Sequence, residues 1–212
     1  MKKGIALITA LILSVLLLGC EEAATYATAD DTKAALNGQG VITISGDFSE
    51  ANQASDIRVD GIFAGFMRET GLINGKWTIS ANYEEWFYAK YVTDEPVNHQ
   101  EGVNSGSTLG FYDMDGNCLG YAQERVDPNW DNAYIVYFLD PDFNPIGLYA
   151  SEDCKTLWDD SETVLAEGDI DWSYSSDMCT ITITPTGGKD VPIYAKIAMY
   201  VKIFYEVNLL KM

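Results

Sequence analysis

One histidine, thirteen lysines and arginines and four cysteines are all that this 212-residue chain has of the residues behind most catalytic and nucleic-acid chemistry. A Ser-His-Asp or Cys-His site would have to use the lone His99, from a polar stretch rich in Gly, Ser and Asn. No Cys/His spacing suits zinc, and no glycine-rich phosphate loop occurs. Thirty-two Asp and Glu outweigh the basic residues, for a net charge of −19. That balance opposes nucleic acid, whose phosphates need a basic surface, and it opposes docking on anionic lipid. It suits solubility outside the cell and leaves divalent cations as candidate ligands. Carboxylates are numerous enough for a glycosidase pair, yet local sequence distinguishes no two of them. The expectation is therefore a protein that is not an enzyme, with a hydrolase ranked below the binding readings.

Long apolar runs are equally scarce, and the prominent one stands at the start. Lys2 and Lys3 precede an apolar stretch from Ile5 to Leu18, followed by Gly19 and Cys20. The layout is that of a secretory signal, too short and wrongly flanked for a membrane span. Its ending, Leu17-Leu18-Gly19-Cys20, resembles the lipobox of bacterial lipoprotein precursors. The resemblance implies cleavage before Cys20, acyl chains such as palmitate on that cysteine, and tethering to a cell-envelope membrane. Glu21, rather than Asp, follows the lipidated position, which favours the outer membrane where the source has one. Three cysteines then remain, Cys118, Cys154 and Cys179. A single bridge with one spare thiol is the simplest arrangement, and Cys154–Cys179 closes the shortest loop joining two strand ends.

Three segments follow from this pattern: a signal peptide at 1–19, a lipidated cysteine with a flexible tether at 20–40, and one domain at 41–212. The tether has only Tyr26 and Leu36 as large apolar residues, with a short helix over Asp31–Leu36 capped by Asp30 or Asp31 as its sole candidate element. From Val41 onward, short alternating runs are divided by turn residues. Strands are expected at Val41–Ser45, Ile57–Met67, Trp77–Tyr83, Trp86–Val92 and Cys179–Thr184, with Asn74-Gly75 as a hairpin signal. Two similar units, Tyr112–Asn117 and Leu139–Asn144, each with Asp, Asp and Asn at matching offsets, predict successive hairpins. These pair Leu109–Tyr112 with Leu119–Gln123 and Tyr134–Leu139 with Ile146–Ala150, the two linked by Val126–Asn132. Lys155–Ala166 is ambiguous between helix and strand. Alternation over Val191–Leu210 predicts one long or bent strand. The fold class is all-β: an antiparallel sandwich or barrel built from successive hairpins, with at most one short helix.

Three constellations carry candidate sites. Asp113, Asp115, Asn117 and Glu124 occupy the first, third, fifth and twelfth places of a stretch that partly resembles an EF-hand calcium loop. Gly116 and Cys118 depart from that pattern and the flanks read as strands, leaving a calcium ion in an acidic hairpin turn against a bare turn. Gly75-Lys76-Trp77 resembles the Gly-x-Trp signature of lipocalin barrels, which implies a small ligand held at a barrel mouth. The aromatic run Tyr83–Tyr91 alternates so that Trp86, Tyr88 and Lys90 share one face, a candidate sugar-binding platform, against core packing as the plainer account. The leading functional expectation is a membrane-anchored envelope lipoprotein serving as a non-catalytic binding or structural module, contacting the membrane through Cys20. The alternative is a small-ligand or carbohydrate-binding β domain.

Overall fold

The computed structural model describes residues 24–47, 54–70, 75–92, 105–127, 133–172 and 178–209. The signal segment with Cys20, the Asn74 turn position, His99 and residues 128–132 of the expected linker lie outside the described residues. Alternation of inward apolar and outward polar residues generates twelve strands. They are β1 (Ile42–Asp47), β2 (Ala54–Val59), β3 (Ile62–Thr70), β4 (Lys76–Ala81), β5 (Glu84–Tyr91) and β6 (Ser105–Asp113), then β7 (Cys118–Asp127), β8 (Ala133–Leu139), β9 (Pro145–Ser151), β10 (Thr156–Asp159), β11 (Val164–Trp172) and β12 (Met178–Pro185). Each pairs antiparallel with its sequence neighbour, and β1 pairs with β12, so the sheet closes as an up-and-down barrel. Closure removes every sheet edge. Of the two architectures expected, the barrel is the one found.

A barrel of eight strands is just wide enough for its own side chains to fill; twelve leave a wider interior. The filler is a helix. Residues Ile193–Leu209 form α2, flanked earlier in the chain by α1 (Ala29–Asn37), so there are two helices where one was expected. Ile197, Met199, Val201 and Ile203 on α2 are buried, as are Ile193 and Ala195. Contacts from α2 reach β6, β7, β8, β11 and β12. The Tyr194 ring lies 5.4 Å from Phe111 on β6 and 6.4 Å from Phe138 on β8. Met199 and Ile203 press on β11 at Gly168, where an added Cβ would stand 2.7 Å from Ile203 Cδ1. Glycine there lets the helix approach the wall.

The long strand expected over Val191–Leu210 is therefore corrected to helix α2. Its apolar residues satisfy a two-residue period because nearly every position is apolar, and a helix that is apolar all round belongs inside a core. The two lysines of this segment, Lys196 and Lys202, are both bonded within the molecule. Lys196, fully buried, donates to the carbonyls of Leu36 (2.8 Å) and Gly38 (2.7 Å) at the end of α1. In return, Asn37 Oδ1 accepts from the Ile193 N–H (2.9 Å), so each helix satisfies groups left open at the end of the other. Lys202, further along, pairs with Glu124 on β7 and donates to Ser107 Oγ.

Helix α1 closes the barrel end at which α2 enters. Its N-cap is Thr28, whose hydroxyl accepts from the Asp31 N–H, and not Asp30 or Asp31, which lie within the first turn. Thr32 and Leu36 are buried, and Phe63 N–H donates to the Ala24 carbonyl. Much of the segment expected as a flexible tether is thus packed against the barrel, because Leu36 supplies an apolar anchor and Lys196 a polar one.

At that same end the connections are short. Ile57–Met67, expected as one strand, is a hairpin: Asp60 and Gly61 both adopt positive φ (51° and 80°), the pair needed for a two-residue turn. The two hairpins expected at residues 109–123 and 134–150 are present as β6–β7 and β8–β9. In each turn an aspartate accepts from the backbone four residues on: Asp113 from Asn117 (2.8 Å) and Asp140 from Asn144 (2.9 Å). A third copy closes β10–β11, where Asp159 accepts from Ser161 (2.9 Å) and Thr163 (3.1 Å). The ambiguous Lys155–Ala166 stretch is this hairpin, not a helix. The side-chain amides of Asn117 and Asn144, ahead of these backbone bonds, favour the charged carboxylates and hold Asp113 and Asp140 below their usual range; at Asp159 the Lys189 ammonium does most of it.

Two expected outcomes follow. Lys202 and Glu124 have side-chain exposures of only 15% and 19%. Lys202→Met strands the carboxylate and lowers unfolding free energy by about 3 kcal/mol in a denaturant titration, and adding Glu124→Gln recovers much of it. Burial also lowers the Lys196 amine to about 8, with Asp190 opposing the shift. Between that value and the ordinary one of about 10.4, the unfolded chain keeps a proton that the folded protein has released. This group's contribution to stability therefore rises with pH through that window. The change in melting temperature between pH 8 and pH 10 is expected to be less favourable in Lys196→Met than in the parent protein.

Candidate functional site on the outer wall of strands β3 to β6

The lumen is taken up by α2, so the side chains facing outward are the ones available to a partner. They divide by chemistry around the wall. On β11, β12 and β1 the outward positions are Glu167, Asp169 and Asp171, then Thr180, Thr182 and Thr184, then Thr43 and Ser45. On β3 to β6 they include Arg68, Lys76, Thr78, Tyr88, Lys90 and Tyr112, with Phe66, Ser80 and the exposed Glu85 towards the short-turn end. The outward Thr and Asp side chains of β11, β12 and β1 differ from the apolar band that faces lipid in a membrane-spanning barrel.

Register brings the second set together. Tyr88 on β5 sits directly opposite Tyr112 on β6, and the rings stack at 5.3 Å with 20° between planes. Lys76 Nζ lies 4.0 Å from the Tyr88 ring centre, and Lys90 Nζ lies 4.9 Å from that of Tyr112. Such pairs contribute about 0.5–1 kcal/mol each at exposed sites. Lys76 and Lys90 are themselves direct cross-strand partners, an arrangement of like charges that costs stability. Arg68 is exposed one strand away, opposite Thr78. Among the described residues, none of Arg68, Lys76 and Lys90 makes an ion pair. In a chain of net charge −19 they form a cationic island. Its floor is made by Gly110, opposite Lys90: an added Cβ would come within 2.7–3.0 Å of the Tyr112 ring and hydroxyl. The missing side chain lets Tyr112 lie flat against its own strand.

Of the aromatic pair expected on one face, Tyr88 is in this cluster and Trp86 is not. A bulge opposite Ile79 and Ser80 interrupts the alternation of β5 at Trp86. The half-buried indole packs against the core, edge-on to Phe87 at 5.2 Å and with Lys33 of α1 5.9 Å from its centre. Arg68, Lys76 and Tyr112 went unassigned because they approach Tyr88 only through strand register. Lys90 was legible, two residues from Tyr88 on one strand.

The candidate calcium residues are not brought together. Asp113 and Asn117 bond to each other across their turn, Asp115 is exposed, and Glu124 is turned into the lumen against Lys202 and the Ser107 N–H. No group of three or more His, Cys, Asp or Glu among the described residues is placed to hold a metal ion. Cys154 and Cys179 are both buried as thiols and no bridge joins them; Cys118 is a half-buried thiol. Trp77, from the lipocalin-like Gly75-Lys76-Trp77, is buried on the fourth strand, near Tyr91 at 5.8 Å. Lipocalins are eight-stranded with a ligand-holding interior, whereas this barrel has twelve strands and a helix there. Comparison with protein-family models, with curated proteins and with solved structures finds no match.

Gly110→Ala is expected to displace the Tyr112 ring while leaving the strand intact. Near-ultraviolet circular dichroism should lose the signal of the stacked tyrosines, with a stability loss of about 1 kcal/mol, the lower range for overpacking.

Proposed function

We propose that this protein is a lipid-anchored cell-envelope lipoprotein whose barrel is a non-catalytic binding module, presenting the outer wall of β3 to β6 to its partner. The anchor reading rests on the leader that ends at Leu17-Leu18-Gly19-Cys20. The binding reading rests on one observation above others: the interior is occupied by α2, while on the outside two stacked tyrosines stand beside three cations that make no ion pair among the described residues. Of the residue types in the cluster, tyrosine and arginine are enriched at recognition surfaces.

The two halves of this reading agree geometrically. Ala24 bonds to Phe63 beside the short turns, and it stands only four positions after Cys20. Four residues span at most about 14 Å, so an acylated Cys20 holds the short-turn end next to the membrane. Lys76 opens β4 and Lys90 lies near the end of β5, both towards the opposite, membrane-distal end. An outer-membrane location and the absence of catalysis are part of the same proposal.

Mass spectrometry of the protein purified from cells is expected to find a chain beginning at Cys20 and bearing acyl chains. Cys20→Ala should abolish the acyl mass and leave the leader uncleaved. An unmodified thiol on an uncleaved precursor would refute the anchor.

A further inference from the structure

We infer that the island of Arg68, Lys76, Lys90, Tyr88 and Tyr112 is a binding site for an acidic polysaccharide whose sugar rings carry carboxylates, such as a uronic-acid polymer. The inference rests on the binding-module reading and adds the chemical class of ligand. Charge complementarity carries it first. The acidic chain repels polyanions almost everywhere, and the opposite wall displays Glu167, Asp169 and Asp171, yet here three cations on adjacent strands stand without carboxylate partners among the described residues. Neighbouring strands lie about 4.8 Å apart, comparable with the advance of one sugar residue along a polymer, so the cross-strand partners Lys76 and Lys90 offer two charges at a spacing that a carboxylated chain can meet, with Arg68 two residues out of line on β3.

The rings supply the second part of the argument. Each lysine now rests on a tyrosine face, and ring-bound ammonium at an exposed site is weakly held. A carboxylate offers either lysine a stronger, charge-assisted hydrogen bond. Moving a lysine to that acceptor uncovers a ring face beside it, the surface on which a pyranose stacks. One event thus releases like-charge repulsion between Lys76 and Lys90, satisfies the cations and opens the platform. Nucleic acid fits less well, since its denser charge meets the acidic remainder of the molecule. Anionic lipid fits less well because the island stands on the membrane-distal half of the wall.

The test uses the mature protein, residues 20–212 carrying Cys20→Ala, run through native gels containing polygalacturonate, neutral dextran or poly-glutamate, and sedimented with phosphatidylglycerol vesicles. Retardation by polygalacturonate alone, weakening as salt is raised, is expected. Arg68→Gln with Lys76→Gln and Lys90→Gln should weaken it about tenfold or more, and Tyr88→Leu several-fold, with melting temperatures showing that both variants fold. Equal retardation by dextran would keep a sugar-binding module but overturn the acidic assignment. Equal retardation by poly-glutamate, or sedimentation with the vesicles, would overturn the saccharide. No retardation by any polymer would overturn the inference outright, while acylation of Cys20, read separately, would leave the anchor in place.

Discussion

The burial of helix α2 inside a twelve-stranded wall is the constraint on which this structure depends. A sheet closed at that width cannot meet across its own interior, so the walls need an apolar body to pack on. Ile197, Met199, Val201 and Ile203 provide it, each worth about 1.5–3 kcal/mol on full burial. The two lysines on the helix fix its depth and rotation. Lys196 meets the carbonyls that end α1, and Lys202 meets Glu124 towards the other end. A buried ion pair adds little net stability over an apolar replacement, but it penalises any register in which either charge is left alone.

This arrangement directs function outward. A barrel with an open interior would hold a ligand among its inward side chains; here those side chains hold the helix. What the exterior offers is unevenly distributed, with carboxylates and threonines on β11, β12 and β1 and cations with tyrosines on β3 to β6. The separation follows from strand order alone, since each outward position is a single residue choice that leaves the packing of the interior untouched.

Local chemistry was legible in the sequence, and long-range placement was not. The hairpins at 109–123 and 134–150 could be read because Asp, Asp and Asn recur at matching offsets in their turns. The third turn, Asp159–Thr163, hid because Ser161 and Thr163 stand where the other two copies have Asp and Asn. Asp60-Gly61 was present as a turn signal inside an apolar run whose alternation concealed it. Helix α2 read as a strand because a segment apolar on every side satisfies either period; only the width of the barrel decides between them. Within the candidate site, Tyr88 and Lys90 share a strand and could be read together. Arg68, Lys76 and Tyr112 come from other strands, and their approach is set by register, which no local pattern encodes.

Native-state hydrogen exchange tests the central claim most directly. If α2 is the body on which the barrel closes, it cannot leave while the wall persists, and the amides of Ile197–Val201 should exchange as slowly as the best-protected amides of β1 and β12, through global unfolding. Rapid exchange of those helix amides with the strand amides still protected would contradict the account, since the wall would then stand without its filling.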